Sequence, residues 1–284
     1  MNFRQVKVSA AAALLIAATA CSGGGEQIRT GTPAYYVKMG LASYANGDYP
    51  KTNEWLTKAT SHSPTDATPR AWAMRFTIMA GMIRGNSDLA DEWETGAKEN
   101  KSNPMRFFKK VSDHRGEAGR RAIELAESWG DFEKGIPEGE VEIHFPFPAL
   151  GSLNPPPELA RIQSGTMPKD PEIETVQIAL LQRAMIMQVA DAVGAGEDSA
   201  KAQAVLKTVP VKVARKDWML YVAKTMYNVS TLYGKKKVSD STKRGFFLDK
   251  AQKSLAVADK DAKEVKDLKT KIEKDLKEVK AIQG

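Results

Sequence analysis

The chain has 284 residues, of which 42% are apolar and 27% charged, so it is long enough to bury a sizeable core. Its net charge of +7 falls to +5 if residues 1–20 are removed, and so mild an excess does not require a nucleic-acid partner. The single cysteine excludes a disulfide within the chain. Plentiful alanine and lysine, with few β-branched runs, favour a helical protein.

Residues 1–20 have the pattern of a signal peptide. Arg4 and Lys7 precede an uncharged run, residues 8–20, that ends in small side chains. This run has the length of a signal-peptide core and is too short to span a bilayer comfortably. The sequence therefore predicts an exported protein.

The only cysteine follows this run directly. The sequence Ala-Thr-Ala-Cys at residues 18–21 resembles a bacterial lipobox, which implies that Cys21 becomes a lipidated N-terminus. Ordinary cleavage that leaves a free thiol is the alternative. Residues 21–32 are glycine-rich and predict a flexible tether with a reach of roughly 18 Å. In lipoproteins of this kind, a serine rather than an aspartate after the cysteine, here Ser22, implies sorting to the outer membrane.

The folded part opens with the most informative stretch, residues 33–66. Its pattern of aromatic, small and turn residues consists of Tyr36, Met39, Gly40, Gly47, Asp48, Tyr49, Leu56, Ala59 and Pro64. This stretch resembles a tetratricopeptide repeat (TPR), a pair of antiparallel helices of about 34 residues. Gly47 is suited to close the first helix, Asp48 to cap the second, and Gly40 to let the two approach. An unrelated helical hairpin is the alternative.

Beyond residue 66 the helical pattern continues, although the resemblance to the repeat becomes looser. We predict helices over residues 69–84, 88–99, 115–129, 172–193, 199–207, 211–233 and 259–283. A break at Gly85 is predicted to separate the helix over residues 69–84 from the helix over residues 88–99. Paired helices that bury their apolar faces by stacking form a solenoid. The predicted fold is therefore all-α, a TPR-like α-solenoid with hairpins over residues 33–130 and 172–284, the last helix acting as a cap.

Residues 131–171 interrupt the helical pattern, because they are rich in proline and glycine. Val141, Ile143, Phe145 and Phe147 alternate with polar residues or proline, which predicts an extended strand with one apolar face. Two interpretations remain open. The segment is either a structural strap packed over neighbouring helices or a hook that meets a partner.

Patterns that carry chemistry are scarce. His62, His114 and His144 lack the spacing of metal ligands, and no serine lies in a nucleophile-elbow motif. Gly194 and Gly196 are interpreted as a helix-ending turn rather than a dinucleotide loop. We therefore expect no enzymatic activity, no metal and no cofactor.

One basic run has two interpretations. Its cations are Arg106, Lys109, Lys110, Arg115, Arg120 and Arg121, diluted by Asp113 and Glu117. It is either a solvated helix face or a surface that contacts anionic lipid head groups.

The predicted function is that of an exported, lipid-anchored protein of the bacterial envelope. It would face the periplasm and act as a non-enzymatic scaffold or assembly factor for another envelope protein or peptide. The alternative is a solute-binding accessory lipoprotein that resembles the T-component of TRAP transporters. A purely structural envelope protein is a third possibility, and the oligomeric state stays open.

The resemblance to the repeat family also implies a binding surface, because the first helix of each pair lines the inner face of such solenoids. The corresponding residues are Ala34, Val37, Leu41, Tyr44 and Ala45. Tyr44 is the leading candidate, because its ring offers apolar area and a hydroxyl to an incoming peptide. The alternative is that Tyr44 packs in the core.

Overall fold

The computed structural model describes residues 28–63, 65, 67–145, 154–196, 198–234, 237–258 and 262–283. Of these residues 74% are helical, and their β-structure is one pair of short strands, so the all-α prediction is confirmed. In chain order the elements are α1 (Pro33–Ala45), α2 (Tyr49–Thr60), α3 (Thr68–Glu99), α4 (Pro104–Glu127), α5 (Trp129–Gly135), β1 (Glu140–Ile143), α6 (Pro157–Gln163), α7 (Asp170–Ala192), α8 (Ser199–Val205), β2 (Val211–Ala214), α9 (Arg215–Leu232), α10 (Ser241–Leu255) and α11 (Lys263–Gln283).

Helices α1 and α2 form the predicted antiparallel hairpin. Helix α1 ends where Gly47 adopts a φ of +72°, a conformation that glycine reaches without strain. The N–H groups of Gly47 and Asp48 donate to carbonyls in the last turn of α1. The Asp48 carboxylate then caps α2 by accepting a backbone hydrogen bond at 3.1 Å. Gly40 lies against α2, because a Cβ there would be 3.3 Å from Cδ2 of Leu56.

Helix α3 is the centre of the fold. It runs unbroken for 32 residues, about 48 Å, so the predicted break at Gly85 is wrong. Gly85 lies where α3 packs on α7, and a Cβ there would be 2.8 Å from Cδ2 of Leu181 and 3.2 Å from Cβ of Ala184. The glycine therefore permits close helix packing instead of ending the helix.

The surroundings of α3 explain its burial. Helices α2, α4, α6 and α7 and strand β1 all contact it, and 21 of its 32 residues are buried. A helix covered on most faces is a core helix. In a solenoid each hairpin contacts mainly its neighbours along the chain, whereas α3 also contacts α7. The solenoid arrangement stays a prediction.

A polar network joins α2, α3 and α4 at one end of the core. Arg75, only 7% exposed, places Nη2 3.3 Å from Oε1 of Glu124, and Asn53 donates to the same oxygen at 2.8 Å. Arg121 donates to the other carboxylate oxygen at 3.1 Å. Burial alone would raise the pKa of Glu124, but these hydrogen bonds and the Arg75 charge hold it below its usual value. The ionised network therefore fixes three helices together.

The segment predicted as an irregular strap contains regular structure: most of α5, strand β1, helix α6 and the start of α7. Val141 and Ile143 in β1 and Phe145, two positions beyond the strand, are buried, as the alternating pattern predicts. Phe147 lies outside the described residues. Strand β1 pairs antiparallel with β2, which occupies the start of the helix predicted over residues 211–233. That part of the prediction is wrong, because the helix, α9, begins only after β2. The short helices α5 and α6 were not predicted. The burial of β1 favours the strap interpretation for the described part.

The remaining predicted helices are present with shifted ends. The helix predicted over residues 115–129 is the second half of α4, which begins at a proline in its first turn. Helices α7 and α8 match their predictions within a few residues. Helix α11 packs on α9 and α10 along the predicted apolar stripe, in which Val265, Leu268, Ile272 and Val279 are buried.

Candidate functional site

A cleft of about 370 Å³ opens between the α1–α2 turn, α3, α4 and α7; we call it the central cleft. Its lining residues are Gly47, Tyr49, Pro50, Met82, Asn86, Leu89, Asp113, His114, Glu117, Gln177, Ile178, Leu181 and Gln182. A volume of this size lies in the range of small-molecule and side-chain pockets. Four separate segments of the chain therefore build one concave surface.

A chain of hydrogen bonds crosses the floor of the central cleft. The Asn86 amide donates to the carbonyl of Met82 at 2.9 Å, which leaves Oδ1 of Asn86 as an acceptor. Nδ1 of His114 lies 3.1 Å from that oxygen and must therefore carry the proton. Nε2 of His114 then accepts from Nε2 of Gln177 at 3.2 Å. These contacts link α3, α4 and α7.

The imidazole of His114 is held neutral. Burial lowers its pKa below the ordinary 6.5, and the nearby Lys110 charge acts in the same direction, outweighing the carboxylates of Asp113 and Glu117, which raise the pKa. Both ring nitrogens already have partners, so the ring has no free lone pair for a substrate proton or a metal ion. No group of three or more His, Cys, Asp or Glu side chains close enough to hold a metal ion occurs among the described residues. The floor is therefore a structural polar network.

The rim and walls offer a different chemistry. Ile178 is 49% exposed at the mouth, and Leu89 and Leu181 add apolar wall. Asp113 is exposed on the rim, and its carboxylate has no ion pair within the described part of the chain. Burial raises the pKa of Tyr49 to about 12, so its hydroxyl stays protonated. The site suits an apolar group that carries a hydrogen-bond donor or a positive charge.

The five residues predicted to bind a partner all lie on α1. Val37 and Tyr44 are buried, with exposed fractions of 1% and 3%, while Ala34, Leu41 and Ala45 are half-buried. The Tyr44 ring lies 4.5 Å from the Phe145 ring and 6.0 Å from that of Tyr49, between centroids. This is the core position considered above as the alternative for Tyr44. The partner-binding role of the five residues stays a prediction.

The other predicted functional residue, Cys21, lies outside the described residues, together with the leader and most of the tether. Among the described residues, no helix is both long and apolar enough to cross a bilayer. The lipidation prediction therefore remains a prediction.

Sequence reasoning missed the central cleft. Asn86, His114 and Gln177 are separated by 28 and 63 positions, so no local motif joins them. One signal becomes visible only with α3 and α4 at their full lengths: Asn86 and His114 then continue the spacing of the buried residues of their helices, whereas the predicted helices left both out. Such residues are normally hydrogen-bonded to one another or to backbone.

Comparison with protein families, curated proteins and solved structures finds no match for this chain. The site therefore has to be interpreted from its own geometry, which is that of a binding cleft with a neutral, hydrogen-bonded floor.

Proposed function

We propose that this protein is an exported lipoprotein, anchored through Cys21 to the periplasmic face of the outer membrane, that binds another envelope protein. In this role it is a non-enzymatic scaffold or assembly factor. The leader pattern and the lipobox resemblance in residues 1–21 support export and anchoring. The observation that carries the binding role is the central cleft, with Ile178 half-exposed at its mouth.

The chemistry of the cleft indicates what part of a partner it accepts. An apolar side chain that enters against Ile178 and Leu181 removes apolar surface from water, which is favourable by about 25 cal/mol per Å². Asp113 on the rim attracts a backbone N–H, lysine or arginine beside that side chain. The neutral His114 adds no repulsion toward a cation. A peptide segment with an apolar residue next to a basic one fits these features.

The hairpin α1–α2 is proposed as a TPR-like unit at one edge of the site. The φ of +72° at Gly47, the Asp48 cap and the close packing at Gly40 support this assignment. Because Gly47 and Tyr49 also line the cleft, the turn of this unit shapes the entrance.

A second candidate function is the binding of a small solute, as in an accessory lipoprotein that resembles the T-component of TRAP transporters. The volume of about 370 Å³ favours it, because pockets of that size take small organic molecules. The same rim then selects a solute with an apolar body and a cationic or donor group.

The anchoring is tested by metabolic labelling with a fatty acid. Wild-type protein should incorporate the label and partition into detergent, whereas Cys21→Ala should do neither, because the thiol is the only acceptor for the thioether. Equal labelling of both proteins would contradict the proposal.

The binding role is tested with a photo-crosslinking amino acid placed at position 178 in living cells. Position 257 is a matched control, because Val257 is 43% exposed and does not line the cleft. A specific protein adduct at 178, absent at 257, supports the scaffold role. A small-molecule adduct at 178 supports solute binding instead, and equal adducts at both positions would refute the cleft as the site.

A further inference from the structure

The outer face of α4 exposes several apolar and small residues to solvent. Met105, Phe108 and Ile123 are 71%, 42% and 39% exposed. At about 100° per residue, these three and the intervening Gly116 and Gly119 fall within an arc of about 80°. We call this surface the α4 outer face. It extends over most of the helix, which is about 36 Å long.

No close contact among the described residues requires a glycine at either position, although the Tyr233 hydroxyl donates to the carbonyl of Gly119 at 3.4 Å. A Cβ at Gly116 or Gly119 would meet no atom within 4 Å, in contrast to Gly85, where it would meet α7. Glycine weakens a helix relative to alanine, so its use here has a cost that no contact among the described residues offsets. The result is a smooth, flat surface between the exposed apolar groups.

Cations lie on the first turns of α4 and just before it, and of these Lys109 borders the α4 outer face, about 60° from its centre. Lys101, Arg106, Lys109 and Lys110 precede the first acid of this region, Asp113. No ion pair joins these four cations to another described residue. Cations near a helix N-terminus are unfavourable, because the helix dipole is positive there. An anionic partner outside the chain would account for this arrangement.

Contacts at the start of α1 show where the tether meets the folded part of the chain. The Tyr36 ring lies 5.4 Å from the His62 ring, between centroids, at the end of the hairpin that is away from its turn. Two residues before His62, Thr60 accepts a hydrogen bond from Arg75, which pairs with Glu124. The tether therefore joins the body near the C-terminal end of α4, opposite Met105.

We propose that the α4 outer face lies on an anionic lipid surface, with Met105 and Phe108 inserted at the level of the head groups. The proposal rests on the function above, because lipidation at Cys21 keeps the body beside a membrane. A tether of 12 residues extends to at most ~40 Å, enough for the whole of α4 to lie along the bilayer. Apolar groups with flanking lysine and arginine are typical of interfacial helices.

Lipid is favoured over a protein partner by the shape of the surface. The α4 outer face is the exposed side of a single helix, and none of its five residues lines the central cleft. Each lysine or arginine near an anionic surface strengthens binding about fivefold, so Lys109 together with two apolar groups gives a weak contact. Anchor and face together would hold the central cleft in one orientation to the membrane.

The test is vesicle flotation of the full chain carrying Cys21→Ala, so that no lipid anchor contributes. Vesicles contain either phosphatidylglycerol with phosphatidylethanolamine, or phosphatidylcholine alone. Met105→Ser/Phe108→Ser is compared with Val238→Ser/Val257→Ser, which removes two exposed apolar groups elsewhere. Residues 1–20 are present in every protein, so their contribution cancels in the comparison.

We expect the anionic vesicles to bind the Cys21→Ala protein and its Val238→Ser/Val257→Ser control equally. The Met105→Ser/Phe108→Ser variant should bind about tenfold more weakly. Raising the salt from about 0.1 M to about 0.5 M should weaken binding of the parent, because the cations are screened. Equal binding of all three proteins, or equal binding to both kinds of vesicle, would overturn the proposal and leave the face to a protein partner. Fatty-acid labelling tests the anchor separately, so the two failures are distinguishable.

Discussion

Two glycine-to-alanine substitutions should shift stability in opposite directions. Gly85 in α3 and Gly116 in α4 both lie in the interior of a long helix, where alanine is favoured over glycine by about 1 kcal/mol. At Gly116 a Cβ meets nothing within 4 Å, so Gly116→Ala should gain most of this amount. At Gly85 the same methyl group would enter the contact with α7.

The cost at Gly85 follows from the three nearest atoms. Cβ would lie 2.8 Å from Cδ2 of Leu181, 3.1 Å from Cα of Leu181 and 3.2 Å from Cβ of Ala184. The Leu181 methyl group can rotate away, but Cα belongs to the backbone of α7, so the two helices must separate slightly. Overpacking of this kind costs about 1–3 kcal/mol. After the gain in helix propensity, Gly85→Ala should lose about 1 kcal/mol.

Thermal unfolding followed by circular dichroism measures both effects. For a domain of this size, 1 kcal/mol shifts Tm by about 2–4 °C. We therefore expect Gly85→Ala to lower Tm by about 2–4 °C and Gly116→Ala to raise it by a similar amount. If both substitutions raise Tm equally, α3 and α7 do not approach as closely as described, and the explanation for the unbroken α3 is refuted.

Two further predictions concern charged and titratable groups. Glu124→Gln should destabilise the fold by about 2 kcal/mol in urea denaturation, because it leaves the buried Arg75 without its carboxylate; an unchanged midpoint would show that the network is not formed. Burial lowers the pKa of His114 in the folded state, so the unfolded chain binds the extra proton, and stability should fall from about pH 7.5 to about pH 5.5. His114→Gln should reduce this slope without abolishing it, because burial also lowers the pKa of His144. A slope that does not change in His114→Gln would contradict the buried, neutral imidazole.

Much of the secondary structure was predictable because it depends on residues close together in the chain. The α1–α2 hairpin follows from Gly47, which reaches a positive φ at low cost, and from Asp48, whose side chain caps the next helix. The buried stripe of α11 follows from its helical period. The alternation from Val141 to Phe145 likewise predicts an extended chain with one buried face.

The errors in predicted secondary structure occurred where contacts with a distant segment override the local preference of a residue. Gly85 is a helix breaker by local propensity, but α7 packs against it and makes the missing side chain an advantage. Val211 and Val213 are β-branched and precede a helical pattern, so a short helix and a strand are both compatible with the local sequence. Pairing with β1, about 70 residues earlier, selects the strand.

The candidate site shows the same division. The polar character of Asn86, His114 and Gln177 is a property of the sequence, but the burial of the first two follows from α3 and α4 being longer than the predicted helices. Their assembly into one hydrogen-bonded floor depends on the packing of α4 and α7 side by side on α3. The sequence correctly places Tyr44 on helix α1, but it does not show that Phe145, about a hundred positions away, packs against its ring. Local patterns determine which faces are apolar, whereas the partner of each face depends on long-range packing that no local pattern encodes.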